Sequence, residues 1–223
     1  MEKLLNEKVS GIFAESDAIY FCKKLLNDYQ FFKHDLKKVK KIHQDTYLNC
    51  RFGPAYKKIA AHYGLDCCID LSAAKCKDGS IITNYYQDSF VYSFDNKGNI
   101  LWKKEDMFFD TIYSLAVKEY SLWCAYPTNH TIICYSLETF QEVKSIGGGE
   151  PLGGQAEMFN LPEDIFINGN TMYVSDMGNH RVCQIDLTTD NIQTYHTFDE
   201  PVWGYWQMNE QEFVLLNSGL YRL

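Results

Sequence analysis

The chain has 223 residues, 46% hydrophobic and 15% aromatic, which is ample for a packed core and excludes a disordered polymer. Its net charge of −8 is uneven: residues 1–105 carry 17 Lys and Arg against 13 Asp and Glu, whereas residues 106–223 carry 4 against 16. The acidic second half would repel phosphate, which speaks against general nucleic-acid binding there.

The N-terminal MEKLLNEKVSGIFAESD lacks a basic stretch leading into an unbroken apolar run, so no secretion signal is expected. No window approaches the roughly 18 apolar residues of a membrane span, and a soluble, cytoplasmic protein is expected. In that setting the eight cysteines read as reduced thiols, and Cys124, Cys134 and Cys183 fall within predicted strands. His62, Cys67, Cys68 and Cys76 match no zinc-ligand spacing.

In chain order, a short helix is predicted from Glu2 to Val9, ending at Gly11. From Ser16, with Asp17 as the first acid, Ile19, Cys22, Leu25, Leu26, Tyr29, Phe32, Leu36, Val39 and Ile42 follow a helical i, i+3, i+4 spacing. Lys33, Lys37, Lys38, Lys40 and Lys41, beside His34 and His43, read as the solvated face of that helix. Residues 1–46 are therefore expected to be an α-helical N-terminal extension, packed on the rest with the lysines outward. It is also a candidate oligomerisation element.

Residues 47–223 are expected to be mainly β and to repeat. The stretches 83–100, 124–141 and 174–191 align without a gap: Asn179-His180 falls on Asn129-His130, and Asp186 falls on Ser136 and Asp95. Each is preceded by a predicted inner strand (67–71, 113–117, 164–168) and followed by an outer one (100–104, 142–146, 192–196). Four short strands every 40–50 residues predict propeller blades. A Gly-rich insert, 147–155, lengthens one interval. Residues 201–223 supply three strands of a last blade, and residues 55–62 are predicted to complete it, closing a ring of about four four-stranded blades.

Residues 159–186, FNLPEDIFINGNTMYVSDMGNHRVCQID, resemble an NHL repeat through Pro162, Tyr173-Val174-Ser175-Asp176 and Asn179-His180-Arg181-Val182. The earlier blades depart from the pattern: Asp176 is replaced by Tyr85 and Tyr126, and Arg181 by Phe90 and Thr131. The resemblance implies a propeller, expected in that family to have six blades, and includes lyases and lactonases with a metal in the channel.

Loops between the second and third strands should gather on one face with the entries to the inner strands. They bring Tyr85, Tyr86, Tyr126, Asn129, His130, Asp176, Asn179, His180 and Trp203 to a candidate recognition surface, with further segments around Phe108 and Met158. His130, His180 and Asp176 are too few for a metal site, and no catalytic or nucleotide-binding motif is present, so no cofactor is expected. The function expected is a non-catalytic module binding a protein or peptide. The alternative is a metal-dependent lyase or hydrolase acting in the channel.

Overall fold

The computed structural model describes residues 1–5, 9–15, 18–25, 28–35, 38–105, 111–148 and 158–223. Among them the strands form five four-stranded antiparallel sheets, the blades of a β-propeller. Blade I is β2 (Ser10–Glu15), β3 (Ala18–Lys24), β4 (Tyr29–His34) and β5 (Val39–Ile42). Helices α1 (Gln44–Phe52) and α2 (Tyr56–His62) follow. Blade II is β6 (Leu71–Lys75), β7 (Ile81–Tyr85), β8 (Phe90–Phe94) and β9 (Ile100–Glu105). Blade III is β10 (Ser114–Lys118), β11 (Ser121–Tyr126), β12 (Thr131–Ser136) and β13 (Glu142–Gly147). Blade IV is β14 (Pro162–Asn168), β15 (Thr171–Asp176), β16 (Arg181–Asp186) and β17 (Ile192–Thr197). Blade V takes β18 (Val202–Met208), β19 (Gln211–Leu216) and β20 (Gly219–Arg222), and its outer strand is β1 (Glu2–Leu5).

The blades are therefore five, not about four, and the predicted helical extension is instead a blade plus a closing strand. The helical spacing over 16–43 misled because β3 is buried continuously from Ala18 to Cys22, so it shows no alternation. A strand sandwiched between two neighbouring blades is apolar on both faces, and periodicity cannot then separate it from a helix. Hydrogen bonds from Leu25 N–H to Asp28 O and from Asp35 N–H to Lys38 O close the hairpins between the strands. The Ser16-Asp17 helix start lies outside the described residues, as do Lys37, Phe108 and residues 149–157 of the Gly-rich insert.

Ring closure by an N-terminal strand was the right principle applied to the wrong segment. Residues 55–62 are instead α2 and its N-cap Ala55, and the buried Tyr56, Ile59 and Ala60 follow i, i+3, i+4. The closing partner of β20 is β1, pairing Glu2 with Arg222 and Lys3 with Tyr221, and Glu2 and Arg222 also form an ion pair. The predicted inner strand 67–71 likewise lies upstream of the real one, β6; Cys68 is instead buried against the helices. The repeat alignment itself holds at its turns. Asp95 and Asp186 accept backbone N–H groups two residues on, and Ser136 does the same through its hydroxyl.

Each gap between neighbouring blades is filled by one apolar cluster. Ala74, Ile82 and Val91 of blade II meet Leu115, Leu122 and Ile133 of blade III. Trp123, Ile132 and Ile146 of blade III meet Ile165, Val174 and Ile185 of blade IV. Tyr173 and Val182 meet Val202, Tyr205 and Val214 of blade V, and Trp206, Phe213 and Leu220 of blade V meet Ile19 and Phe21 of blade I. Between blades I and II the helices form the interface: Tyr47, Leu48, Phe52 and Ile59 pack between Tyr20 and Phe31 on one side and Leu71, Tyr92 and Phe94 on the other. The Tyr47 hydroxyl donates to Gly11 O of blade I, and the Tyr63 hydroxyl lies 2.8 Å from Thr83 Oγ1 of blade II. The helical hairpin is a wedge that completes the circle.

Gly219, at φ +139°, lies so close to the closing strand that a Cβ would stand 2.0 Å from Leu5 O. Gly219→Ala should cost about 1–3 kcal/mol in urea unfolding, the scale of an imposed backbone strain. Removing residues 1–5 from that variant should then cost less than removing them from the native chain, because the same pairing is lost in both. Strict additivity of the two changes would show that β1 does not close the ring at Gly219.

Candidate functional site

The inner strands β2, β6, β10, β14 and β18 surround a central channel of about 530 Å³. Up-and-down topology brings the starts of these strands to the same end as the connections between second and third strands. That end is the face expected to carry recognition.

The face residues read from the sequence divide into two groups. Asp176 is fully buried. Its Oδ1 accepts the Asn160 N–H at 2.6 Å, and its Oδ2 accepts from Asn179 Nδ2 at 2.9 Å and Arg181 Nε at 2.7 Å. Arg181 also donates to Met158 O at 2.9 Å and Thr194 Oγ1 at 3.2 Å. Gly178 admits the same incoming loop, since a Cβ there would lie 2.6 Å from the Asn160 side chain. The residues carrying the repeat resemblance are thus a latch that ties the loop entering blade IV to its second and third strands.

His130 and His180 occupy equivalent left-handed positions, both at φ 54°, after 3₁₀ turns. His130 Nδ1 accepts the Leu161 N–H of the next blade at 3.1 Å. The residue at the corresponding entry to blade V is Pro201, which has no N–H to offer. Tyr126 is fully buried in the cluster between blades II and III, its hydroxyl 3.3 Å from that of Tyr135. Asn129 is exposed at the end of its turn. Among the described residues no three His, Cys, Asp or Glu side chains cluster as metal ligands; of the residues weighed for that role, Asp176 is enclosed by its own latch and His130 Nδ1 accepts from the neighbouring backbone.

Of the exposed aromatic rings, Tyr113 (49% exposed) and Trp203 (38%) border the channel, and Tyr86 (54%) stands on the connection between β7 and β8 at the same end. Tyr85 stacks edge-on between Tyr63 and Tyr86. Trp203 Nε1 donates to Asn217 Oδ1 at 2.7 Å, which fixes the ring.

Sequence reasoning missed the channel mouth itself. Ser72, Ser114 and Asp164 stand at matching positions of β6, β10 and β14, opposite Asn84, Ala125 and Ser175. They clip adjacent blades together: Ser72 Oγ donates to Tyr113 O at 2.7 Å, and Ser114 Oγ donates to Asp164 Oδ1 at 2.7 Å. Arg51 of α1 reaches the same channel, donating to Leu71 O at 2.9 Å.

A β-bulge at Glu163 places two successive side chains, Glu163 and Asp164, along this channel, where a regular strand would turn one away. Burial pushes Asp164 up to about 6, against the opposing pull of the Ser114 hydroxyl and the Arg51 guanidinium. Burial, then repulsion from Asp164, pushes Glu163 up to about 7. The Glu163-Asp164 pair was the available sequence signal, but adjacent residues in an ideal strand point to opposite faces. The bulge cancels that rule.

No family model matches the chain, and no curated protein matches it. Solved structures do. The WD40 β-propeller domain of Doa1 superposes with TM-score 0.55 at 10% identity, covering 95% of this chain and 61% of that one. Catalytically inactive virginiamycin B lyase from Staphylococcus aureus with quinupristin gives 0.52 at 11%, covering 96% and 64%. Glutaminyl cyclase from Myxococcus xanthus gives 0.53 at 7%, covering 99% and 91%. This chain spans less than two thirds of the first two. At such identities the likeness concerns the fold, and the fold is a β-propeller.

Two expectations follow from the geometry. Arg181→Ala leaves Asp176 charged and buried, and should destabilise by about 3–5 kcal/mol. His180→Ala should stay within about 1 kcal/mol, since among the described residues its side chain makes no hydrogen bond. Denaturant titration of both checks this, and equal losses would contradict the latch.

The second concerns pH. A carboxyl raised in the folded state holds its proton more tightly there, so its contribution to stability is present at low pH and lost as pH rises through about 4 to 6. Asp164→Asn removes that loss. Between pH 4 and pH 7.5 the variant should gain stability relative to the native chain by up to about 3 kcal/mol. A difference that stays constant with pH would show Asp164 to be unperturbed.

Proposed function

We propose that the chain is a non-catalytic binding module of NHL-like blades, whose channel-mouth face recognises a protein or peptide. The observation that carries this reading is the placement of Tyr86, Tyr113 and Trp203, three half-exposed aromatic rings, on one face of the propeller. Such rings beside a few polar groups are the usual anchors of recognition surfaces. The NHL-like assignment is supported by the Asp176–Asn179–Arg181 latch, which explains in bonds why those residue types stand at that spacing. Tyr85 and Tyr126 replace the latch by aromatic packing in blades II and III. Eight cysteines outside any disulfide, five of them buried, suit a reducing, cytoplasmic setting. No described helix is long and apolar enough to cross a membrane.

The test compares proteins retained from native lysate by the full chain, by a Tyr86→Ala/Trp203→Ala variant, and by a Lys97→Ala/Asn99→Ala variant of the opposite end. The first variant should lose specific partners that the second retains. Identical retention by all three would overturn the reading. Stoichiometric metal in the purified chain, lost with His130→Ala or His180→Ala, would favour the lyase or hydrolase alternative.

A further inference from the structure

The register of three consecutive blades places Tyr113, Glu163 and Trp203 at one equivalent position. Ala125, Ser175 and Leu215 correspond in the second strands, and Ser114, Asp164 and Gly204 pair opposite them. The residue before each of these is Tyr113, Glu163 or Trp203, and in blades IV and V it is the extra one. Tyr113 N–H also bonds to Ala125 O at 3.0 Å, and the register slips at Glu163 and at Trp203. The three residues therefore stand at matching positions on the rims of blades III, IV and V, and all border the same channel. In blade order they read aromatic, carboxylate, aromatic.

The carboxylate is short of partners. Among the described residues the Glu163 side chain makes no hydrogen bond or ion pair, and Asp164 Oδ2, beside it, is sealed from solvent with no hydrogen-bond partner. The chain's own cations nearby are engaged elsewhere. Arg51 donates to Leu71 O, Ile69 O and the Tyr47 hydroxyl, and Lys75 pairs with Glu15 farther down the channel. A buried carboxylate without a cation is costly, and an incoming positive group removes that cost. Flanking rings favour the same charge, because a cation is drawn to the face of Trp or Tyr. Both rims are held in place: Trp203 by Asn217, and the Tyr113 backbone by Ser72.

We propose that Tyr113, Glu163 and Trp203 form a pocket for a basic side chain, the lysine or arginine of a peptide partner. This rests on the reading of the face as a peptide-binding surface and specifies what that surface selects. Glu163 supplies the countercharge, Trp203 and Tyr113 enclose the aliphatic stem and the cationic head, and Asp164 extends the negative potential beneath them.

The test uses the full chain and five synthetic pentapeptides, Gly-Ala-Xaa-Ala-Gly, in which Xaa is arginine, lysine, citrulline, glutamate or leucine. Binding is read from the indole N–H resonance of Trp203, assigned by its loss in Trp203→Phe. Saturable shifts are expected with the arginine and lysine peptides. Citrulline, which keeps the shape of arginine without its charge, should bind more weakly by about tenfold or more. Glu163→Gln should weaken the basic peptides by a similar factor at a melting midpoint equal to or above that of the native chain, since it removes a carboxylate that burial disfavours, and Tyr113→Ala should weaken them with Glu163 still in place. Equal binding of citrulline or leucine would overturn the basic-side-chain pocket while leaving a peptide-binding face in place. No shift with any peptide would also overturn the pocket, and the module reading would then be decided by the partner-retention comparison alone.

Discussion

The structure depends on closing a circle of sheets that are apolar on both faces. A propeller blade cannot shed its hydrophobic faces into solvent. Each must meet a neighbour, and the last neighbour must meet the first. Here the final contact is covalently economical: residues 2–5 complete the sheet begun by residues 202–222, so both ends of the chain lie in one blade. The ion pair of Glu2 with Arg222 and the tight approach of Gly219 to Leu5 belong to this seam. The channel mouth inherits its geometry from it, because Trp203 stands at the entrance to that same blade.

Five blades leave an interface that strands do not fill. The α1–α2 hairpin fills it with Tyr47, Phe52 and Ile59, residues whose neighbours on either side belong to different blades. The insertion has a consequence for chemistry, since it delivers Arg51 to a channel otherwise lined by inner strands. A guanidinium there opposes the rise of the Asp164 carboxyl without forming an ion pair with it. Scaffold and site are coupled at this point: the wedge that completes the ring also sets part of the potential in its centre.

The most repeat-like residues turned out to be internal. Asp176, Asn179 and Arg181 are spent on one another and on the loop from Met158 to Asn160. In blade IV these polar residues form a structural joint that satisfies the backbone of the loop entering it, a task that aromatic packing takes over in blades II and III. Residues available to a ligand sit instead at the irregularities. At the entrances to three inner strands stand Tyr113, Glu163 and Trp203, the last two on bulges, and they share no residue type and so leave no repeat signature.

The sequence by itself determined the four-strand unit, its turns and the face on which loops collect. These rest on local chemistry: Asp95, Ser136 and Asp186 bond to their own following backbone wherever the chain goes. Residues 55–62 it marked only as a closing strand, because the demand for ring closure outweighed the helical spacing of Tyr56, Ile59 and Ala60. Tertiary structure alone decided the rest. Whether Ala18 to Cys22 is strand or helix depends on burial between two blades, a non-local fact that removes the alternation by which strands are read. Which segment closes the ring depends on pairing across 220 residues, from Glu2 to Arg222. The carboxylates of Glu163 and Asp164 share a channel because one extra residue breaks the strand's alternation, and only the neighbouring strand's register reveals it.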